Sequence, residues 1–291
     1  MLDPFVGSEA LACGRLTRHA LRSGYVAIHP DVYVPRGVEL SAVARAQAAW
    51  LWSRRRGVVA GRSASALHGA RWVDGRAPAE LLYSYRRPPK AIRTWSDCFN
   101  DDEIQTLAGM RVTTPERTAL DVACRYQVSK AVAAIDALTR ATDLKLVDVE
   151  HLAERYKGRR GIRRARIALD LVDAGAESPR ETWLRLLLIR AGFPAPQTQI
   201  PVYDDHGQLV AVLDMGWENI KLAVEYEGDQ HRTDRRQFNK DIGRLEALTD
   251  LNWIDVRVTA EDTEGGVIAR VAAAWKRRVC SEGGISMGLP P

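Results

Sequence analysis

Cysteine is scarce in this chain, and the few cysteines lie too far apart to form a recognisable site. None of them belongs to a CxxC pair or to a Cys/His cluster. The four residues are Cys13, Cys98, Cys124 and Cys280. The sequence therefore indicates neither a zinc site nor a disulfide framework, and we expect reduced cysteines that mostly serve as small core residues.

Long apolar runs are absent as well. No run reaches the roughly 18 residues that a membrane-spanning helix needs, and residues 1–4 lack the basic start and apolar stretch of a signal peptide. We therefore expect a cytoplasmic protein without a membrane partner. The 291 residues are 46% hydrophobic and 27% charged, which is a globular composition with room for two or three domains.

Positive charge is distributed unevenly, although the formal net charge is only +5. Three runs concentrate arginine and lysine: residues 54–56, residues 86–93 and residues 157–166. Such runs suit contact with a phosphate backbone. Each is also typical of a solvated helix face, and both interpretations stay open.

The N-terminal region combines a basic helix with a hairpin. Residues 14–21 are predicted to be helical, and Gly24 ends the helix. Residues 25–28 and 32–34 predict two strands around a short turn. Three arginines are spaced three and four residues apart on the helix: Arg15, Arg18 and Arg22. This order is typical of a DNA-binding winged helix over residues 1–75, although a helix followed by a hairpin also occurs elsewhere.

The middle region, residues 76–175, predicts an α+β domain. Strands are expected near residues 80–85. Thr114 is a good N-cap and Pro115 a good first helical residue, so a helix should begin there. Three helices are expected around residues 117–126, 130–140 and 147–156.

The C-terminal region, residues 176–279, predicts an α/β domain with a mixed sheet flanked by helices. Ser178 and Glu181 form a capping box at the start of its first helix. The later elements are strands over residues 199–203, 209–215, 221–227 and 253–258, and a helix over residues 239–248. Residues 280–291 are expected to form a flexible tail.

Acidic residues cluster on two of these strands. Asp214 is expected at the end of one strand, and Glu225 and Glu227 share one face of the next, because side chains alternate along a strand. If the two strands pair, the three carboxylates converge on one point. Such a cluster is costly without a cation, and hard oxygen ligands favour Mg²⁺ or Mn²⁺. The ion would activate water for attack on a phosphodiester.

Other residues could complete this site. Glu181 could add a carboxylate or serve only as a helix cap. Gln230 and His231 follow the acidic strand, and His231 could act as a general base, contact phosphate or simply lie on the surface. Lys240 or Arg244 could face the site and bind DNA, or Arg244 could pair with a residue of its own helix.

The segment from Ser178 to about residue 276 resembles the Vsr-like branch of the PD-(D/E)xK nuclease superfamily. The matching pattern includes Asp214, the run from Glu225 to His231 and the helix that carries Arg244. The resemblance implies a mixed sheet flanked by helices, metal-dependent phosphodiester hydrolysis and mismatch-repair relatives. In the superfamily pattern a lysine stands two residues after Glu225, and Glu227 occupies that place here.

The first half of the chain is similar to antitoxins of the abortive-infection AbiEi type. The matching pieces are residues 31–34, residues 65–69, and residues 113–118 with Asp121. This resemblance implies a winged helix, DNA binding and control of the protein's own operon.

Two functions follow as expectations. The first is a DNA-directed, Mg²⁺-dependent endonuclease in repair or defence, with RNA left open as a substrate. In it Asp214 and Glu225 hold metal, Glu181 and Glu227 assist, and Gln230 or His231 orients water or phosphate. The alternative is a non-catalytic DNA-binding regulator or antitoxin-like protein with a degenerate nuclease fold. A toxin partner or a homo-oligomer would fit this second function.

Overall fold

The computed structural model describes residues 3–228 and 235–281, and the side chains of residues 235–242 and 281 are outside the description. Two compact units divide the chain, Met1–Val172 and Asp173–Pro291. Helices and strands occur in both, so the predicted mixed α and β fold class is confirmed. No helix in the described ranges is both long and apolar enough to cross a membrane.

The first unit begins with two short helices and a three-stranded sheet. Strand β3 lies between β1 and β2 and is antiparallel to both, so the predicted hairpin is confirmed. The elements are β1 (Phe5–Val6), α1 (Gly7–Ala12), α2 (Arg18–Gly24), β2 (Tyr25–His29) and β3 (Val32–Pro35).

The predicted helix over residues 14–21 is wrong at its start. Gly14 has a φ of +70°, a conformation that glycine adopts at little cost, and it separates α1 from α2. Helix α2 begins only after Thr17, whose hydroxyl oxygen accepts the Ala20 N–H at 3.1 Å. Arg15 therefore lies in the turn before α2, while Arg18 and Arg22 lie on the helix.

A five-stranded sheet follows, in the order β6-β5-β4-β8-β7. Its central strand β4 pairs with β5 and with β8, so the domain boundary predicted after residue 75 cuts through this sheet. The elements are α3 (Ala42–Trp52), β4 (Val58–Val59), α4 (Gly61–Leu67), β5 (Ala79–Leu82), β6 (Ile92–Trp95), β7 (Ile104–Leu107) and β8 (Met110–Thr113).

Four helices complete the first unit, and α5 is packed among the other three. The predicted start of α5 is confirmed, because Thr114 caps it and Pro115 is its first residue. The elements are α5 (Pro115–Arg125), α6 (Val128–Ala141), α7 (Leu146–Arg155) and α8 (Ile162–Leu169). Just before α8, Gly161 has a φ of +89°, and a Cβ there would collide with the Cys124 carbonyl oxygen.

A buried ion network holds these helices to the sheet. The side chain of Arg117 is fully buried, and its Nε donates to Asp121 Oδ1 at 3.0 Å. Its Nη1 donates to the Tyr156 hydroxyl oxygen at 3.0 Å and also to Glu103. Arg159 extends the network by donating to Asp121 at 2.6 Å. One buried guanidinium thus joins α5 to the ends of α7 and β7.

The second unit contains a four-stranded mixed sheet, as expected. Strands β9, β10 and β11 are antiparallel neighbours, and β12 is parallel to β11. The elements are α9 (Pro179–Arg190), β9 (Gln197–Tyr203), β10 (Leu209–Trp217), β11 (Leu222–Tyr226), α10 (Arg235–Asp250), β12 (Ile254–Val258) and α11 (Glu264–Ser281).

Helices cover both faces of this sheet. Leu188 of α9 and Trp275 of α11 share one apolar cluster with Val224 of β11. Leu248 of α10 packs with Ala223 in a second cluster. Because neighbouring residues of a strand point to opposite faces, α10 lies across the sheet from α9 and α11.

Three local expectations need correction. Asp214 lies inside β10, which continues to Trp217, and not at the end of a strand. Cys280 lies in α11 and not in a tail, while residues 282–291 fall outside the described residues. Only Cys124 of the four cysteines is buried, so most of them are not core residues.

The Arg117 network makes a stability prediction. Arg117→Ala leaves buried carboxylates without their cation, so we expect the free energy of unfolding to fall by about 3–5 kcal/mol. Arg166→Ala is the matched control, because its pair with Glu154 is half exposed and should contribute at most about 1 kcal/mol. Urea denaturation followed by circular dichroism measures both, and equal losses would contradict the structural role.

Candidate nucleic-acid interface and carboxylate cluster

Helix α2 presents a basic face to solvent. Leu21 is buried in a cluster with Phe5 and Ala10, which anchors one side of the helix. Arg18 and Arg22 are exposed, one turn apart. The structure therefore brings two of the three predicted DNA-binding arginines of this region onto one helix face.

Arg15 does not share this face. It lies in the turn before α2, where its Nε contacts the Cys13 sulfur at 3.1 Å. The hydrogen bond from Arg15 lowers the pKa of the exposed Cys13 thiol. The predicted spacing of three arginines on one helix is wrong for this residue, because the helix begins later.

Arg36 is a neighbour of α2 that the sequence pattern did not single out. Its Nε donates to the Ser23 carbonyl oxygen and its Nη2 to the Arg22 carbonyl oxygen, both at 3.0 Å. A cation is favourable at a helix C-terminus, where carbonyl groups lack partners. Arg36 thus ties the end of β3 to α2 and adds positive charge near the basic face.

The turn of the hairpin is fixed to α1. Asp31 has a φ of +61°, and its carboxylate accepts the Ser8 N–H at 2.9 Å. Its carbonyl oxygen accepts the Gly7 N–H, also at 2.9 Å. The hairpin turn, which would be the tip of the expected wing, is therefore held by contacts within the protein. Helix α2 remains the exposed basic element of this region.

In the second unit, Asp214 and Glu225 lie on adjacent strands. Met215 pairs with Val224, and one further step of the same antiparallel register sets Asp214 opposite Glu225. The Tyr226 N–H donates to Asp214 Oδ2 at 2.9 Å. The predicted approach of these two carboxylates is thus present in the structure.

The surroundings of Asp214 disfavour its charged form. Burial, together with the nearby Glu181 and Glu225 carboxylates, raises the pKa of Asp214 to about 7. The Tyr226 N–H and the Arg244 guanidinium act in the opposite direction. Asp214 therefore keeps its proton to a higher pH than an ordinary aspartic acid.

Arg244 neutralises the second carboxylate. Its Nη1 donates to Glu225 Oε2 at 3.0 Å, and its Nη2 donates to Glu225 Oε1. Such a two-bond pair between a guanidinium and a carboxylate is geometrically specific. Leu248, one turn later on α10, packs against the sheet, which explains why Arg244 points to Glu225. Both oxygens of Glu225 are therefore already bonded.

Asp255 is a member of this cluster that the sequence pattern missed. It lies on β12, where its buried side chain accepts the Arg257 Nε at 3.1 Å. Burial and the Glu225 carboxylate together raise the pKa of Asp255 to about 6, although Arg257 opposes this increase. The alternation of Ile254, Val256 and Val258 as apolar residues could have indicated that the residues between them share a face.

Glu181 combines the two roles that the sequence left open. Its N–H donates to the Ser178 hydroxyl oxygen at 3.2 Å, and its Oε2 accepts the Glu177 N–H at 2.7 Å. This is the arrangement of a helix cap. Glu181 also lies near enough to Asp214 to raise the pKa of that carboxyl.

Of the remaining predicted residues, the structure describes the side chain of Glu227 alone, and Glu227 is not part of the cluster. Glu227 follows the end of β11 and is exposed. Gln230 and His231 lie outside the described residues, as does the side chain of Lys240. Their predicted roles stay predictions.

The predicted Mg²⁺ or Mn²⁺ site stays a prediction, because Gln230, His231 and the side chain of Lys240 lie outside the described residues. Within residues 3–228 and 243–280, no group of three His, Cys, Asp or Glu side chains is placed to hold a metal ion. A Mg²⁺ or Mn²⁺ ion at Glu225 would have to displace Arg244, which supplies the neutralising charge instead.

Comparison with known proteins places a family resemblance in the first unit. Residues 57–171 match the AbiEi antitoxin C-terminal domain. The antitoxin-like domain, as we call these residues, runs from β4 to the end of α8. The predicted resemblance to AbiEi antitoxins is thereby confirmed for this part of the chain, whereas the nuclease resemblance of the second unit stays a prediction.

Two uncharacterized proteins from two strains of Mycobacterium tuberculosis are similar to this chain. Each is 32% identical over 172 residues, which is 58% of this chain and 63% of the relative. The match thus spans less than two thirds of the length of these relatives. No solved structure gives a significant match.

The antitoxin-like domain contains the motif that suggested the resemblance. Within residues 113–118, Thr113 and Thr118 bond through their hydroxyls at 2.6 Å, and Arg117 is the centre of the buried ion network. The motif therefore holds the fold together. The arginines that this domain exposes to solvent lie outside the motif.

Asp214 makes a prediction about pH. A carboxyl whose pKa is higher in the folded than in the unfolded protein stabilises the fold at low pH, and this contribution is lost as pH rises through the folded pKa. Between pH 4 and pH 8, the free energy of unfolding of wild type should fall by about 3 kcal/mol more than that of Asp214→Asn. Urea denaturation across this range measures the difference.

Asp205→Asn is the matched control, because Asp205 is an exposed residue of the turn before β10. Its unfolding free energy should follow that of wild type at every pH. Identical pH profiles for Asp214→Asn and Asp205→Asn would contradict the burial of Asp214.

Proposed function

We propose that this chain is a DNA-binding transcriptional regulator of the antitoxin type. The observation that carries the proposal is the match of residues 57–171 to the AbiEi antitoxin C-terminal domain. Helix α2 and the hairpin of β2 and β3, which precede this domain, form the proposed DNA-binding element. A protein toxin is the proposed partner of the antitoxin-like domain.

Helix α2 is the proposed recognition helix. A helix of this kind enters the major groove when one side is anchored and the other is polar, and Leu21 anchors α2 while Arg18 and Arg22 face solvent. Guanidinium groups bind guanine edges bidentately and also bind phosphates. Arg36, bonded to the last carbonyls of α2, adds positive charge where the helix would meet the DNA backbone.

The DNA-binding proposal is tested by charge removal on α2. Fluorescence anisotropy with DNA from upstream of the protein's own gene, in EDTA, should give salt-sensitive binding by wild type. Arg18→Ala/Arg22→Ala should bind more weakly, and the slope of log affinity against log salt should fall by about 2, because two phosphate contacts are lost.

Arg71→Ala/Arg76→Ala is the matched control. It removes the same charge from exposed positions outside α2, and Arg76 makes an exposed pair with Glu39. This variant should keep the wild-type slope. A slope that changes equally in both double variants would contradict a role for α2.

A metal-dependent endonuclease is the second candidate function, carried by the second unit. Its support is the approach of Asp214 on β10 to Glu225 on β11 and to Glu181 at the start of α9. The bidentate pair of Arg244 with Glu225 favours the regulator instead, since an arginine already neutralises the carboxylate that an ion would need.

A cleavage assay separates the two candidates. Linear, nicked, mismatched and single-stranded DNA are incubated with the protein and Mg²⁺ or Mn²⁺, and the regulator proposal expects all four to remain intact. Asp214→Ala/Glu225→Ala is the control for contaminating nuclease. Cleavage by wild type that this double variant abolishes would make the nuclease the main function.

A further inference from the structure

The antitoxin-like domain contains a cavity of about 540 Å³. It lies where β6, the end of α5 and the residues before and within α8 meet. Small-molecule sites generally occupy roughly 300–1,000 Å³, so the cavity has the size of a ligand site. Five arginines line it: Arg93, Arg125, Arg159, Arg160 and Arg164.

The charge of this cavity is strongly positive. Asp97 is its acidic lining residue, and Arg125 and Arg159 both donate to it. Arg160 and Arg164 have no carboxylate partner among the residues that the structure describes. Arg93 pairs with Glu80 and Arg159 also pairs with Asp121, so the unbalanced positive charge of the cavity is that of Arg160 and Arg164.

Three buried N–H groups of this wall lack acceptors. They are the Nε of Arg125, the Nη1 of Arg159 and the Nε of Arg164, which find no hydrogen-bond partner within the described part of the chain. A buried donor without an acceptor costs about 1–3 kcal/mol, and more when the group is charged. Three such donors beside one cavity favour a ligand that carries acceptors.

The arginines are held in place before any ligand arrives. Arg159 is only 11% exposed and donates to Asp97 and Asp121, both at 2.6 Å. The Arg125 guanidinium lies 3.9 Å over the Trp95 ring, and Arg164 donates to the Cys124 carbonyl oxygen. Fixed donors lose little conformational entropy on binding, which favours affinity.

We propose that this cavity binds the phosphate group of a small phosphorylated molecule. Guanidinium groups match the oxygens of a phosphate through paired hydrogen bonds, and they supply the charge that a dianion needs. The cavity is larger than a phosphate alone, so it has room for part of the group to which the phosphate is attached. This inference is independent of DNA binding by α2.

Isothermal titration calorimetry tests the proposal with three probes at constant ionic strength: inorganic phosphate, AMP and adenosine. AMP should bind, inorganic phosphate should bind more weakly and compete with AMP, and adenosine should not bind. Tighter binding of inorganic phosphate than of AMP would assign the site to the free anion. Absence of binding by both phosphate and AMP would overturn the proposal.

Two variants locate the site. Arg160→Gln and Arg164→Gln should each weaken AMP binding about ten-fold or more, because each removes a charged hydrogen bond to phosphate. Arg160 is exposed, so this variant keeps the fold even if Arg164→Gln unfolds, which thermal denaturation monitors. Arg163→Gln is the matched control on α8, since Arg163 is exposed and does not line the cavity.

Duplex DNA provides the last arm of the experiment. Anisotropy with the upstream DNA should give the same affinity for wild type and Arg160→Gln. A parallel loss of DNA and AMP binding would mean that the cavity contacts the DNA backbone, which would overturn the proposal. An equal loss of AMP affinity in Arg163→Gln would overturn it as well.

Discussion

The burial of Arg117 is the constraint on which the first unit depends. A guanidinium without contact to water must be paired and fully hydrogen-bonded. The chain supplies Asp121 from the same helix and Glu103 from the short 3-10 helix directly before β7. Tyr156 closes the set from the end of α7. Because Arg159 bonds to the same Asp121, the network that fixes the helices also fixes the wall of the cationic cavity. The buried charges that stabilise the first unit thus also position an arginine of the cavity wall.

Buried charge is balanced differently in the two units. In the first, arginines are in excess around the cavity, which favours an anion from outside. In the second, Asp214 is brought to a pKa of about 7 and Arg244 neutralises Glu225, so the cluster is balanced by protons and by an arginine of its own. A charge-balanced cluster of this kind is suited to holding β10, β11 and α10 together. This contrast fits the proposed regulator, because the carboxylates of the second unit are already balanced within the protein.

Helix caps and the pairing of β10 with β11 were predictable from the sequence, whereas two glycine positions and the partner of Arg244 were not. The helix starts at Thr114 and Ser178 are confirmed, because a cap depends on the residues within one turn. Gly14 was placed inside a helix, although its positive φ ends one. Gly216 suggested the end of a strand, whereas it lies within β10, where a Cβ would collide with a carbonyl oxygen of β11. The pairing of Arg244 joins elements whose approach is set by tertiary packing.

The proposed regulator binds a specific DNA sequence without a metal ion. Hydroxyl-radical footprinting of the purified protein on DNA upstream of its own gene, in excess EDTA, measures this directly. The account predicts a discrete protected segment that disappears as salt is raised, because phosphate contacts release counterions. A uniform cleavage ladder at every protein concentration, without any protected segment, would contradict it.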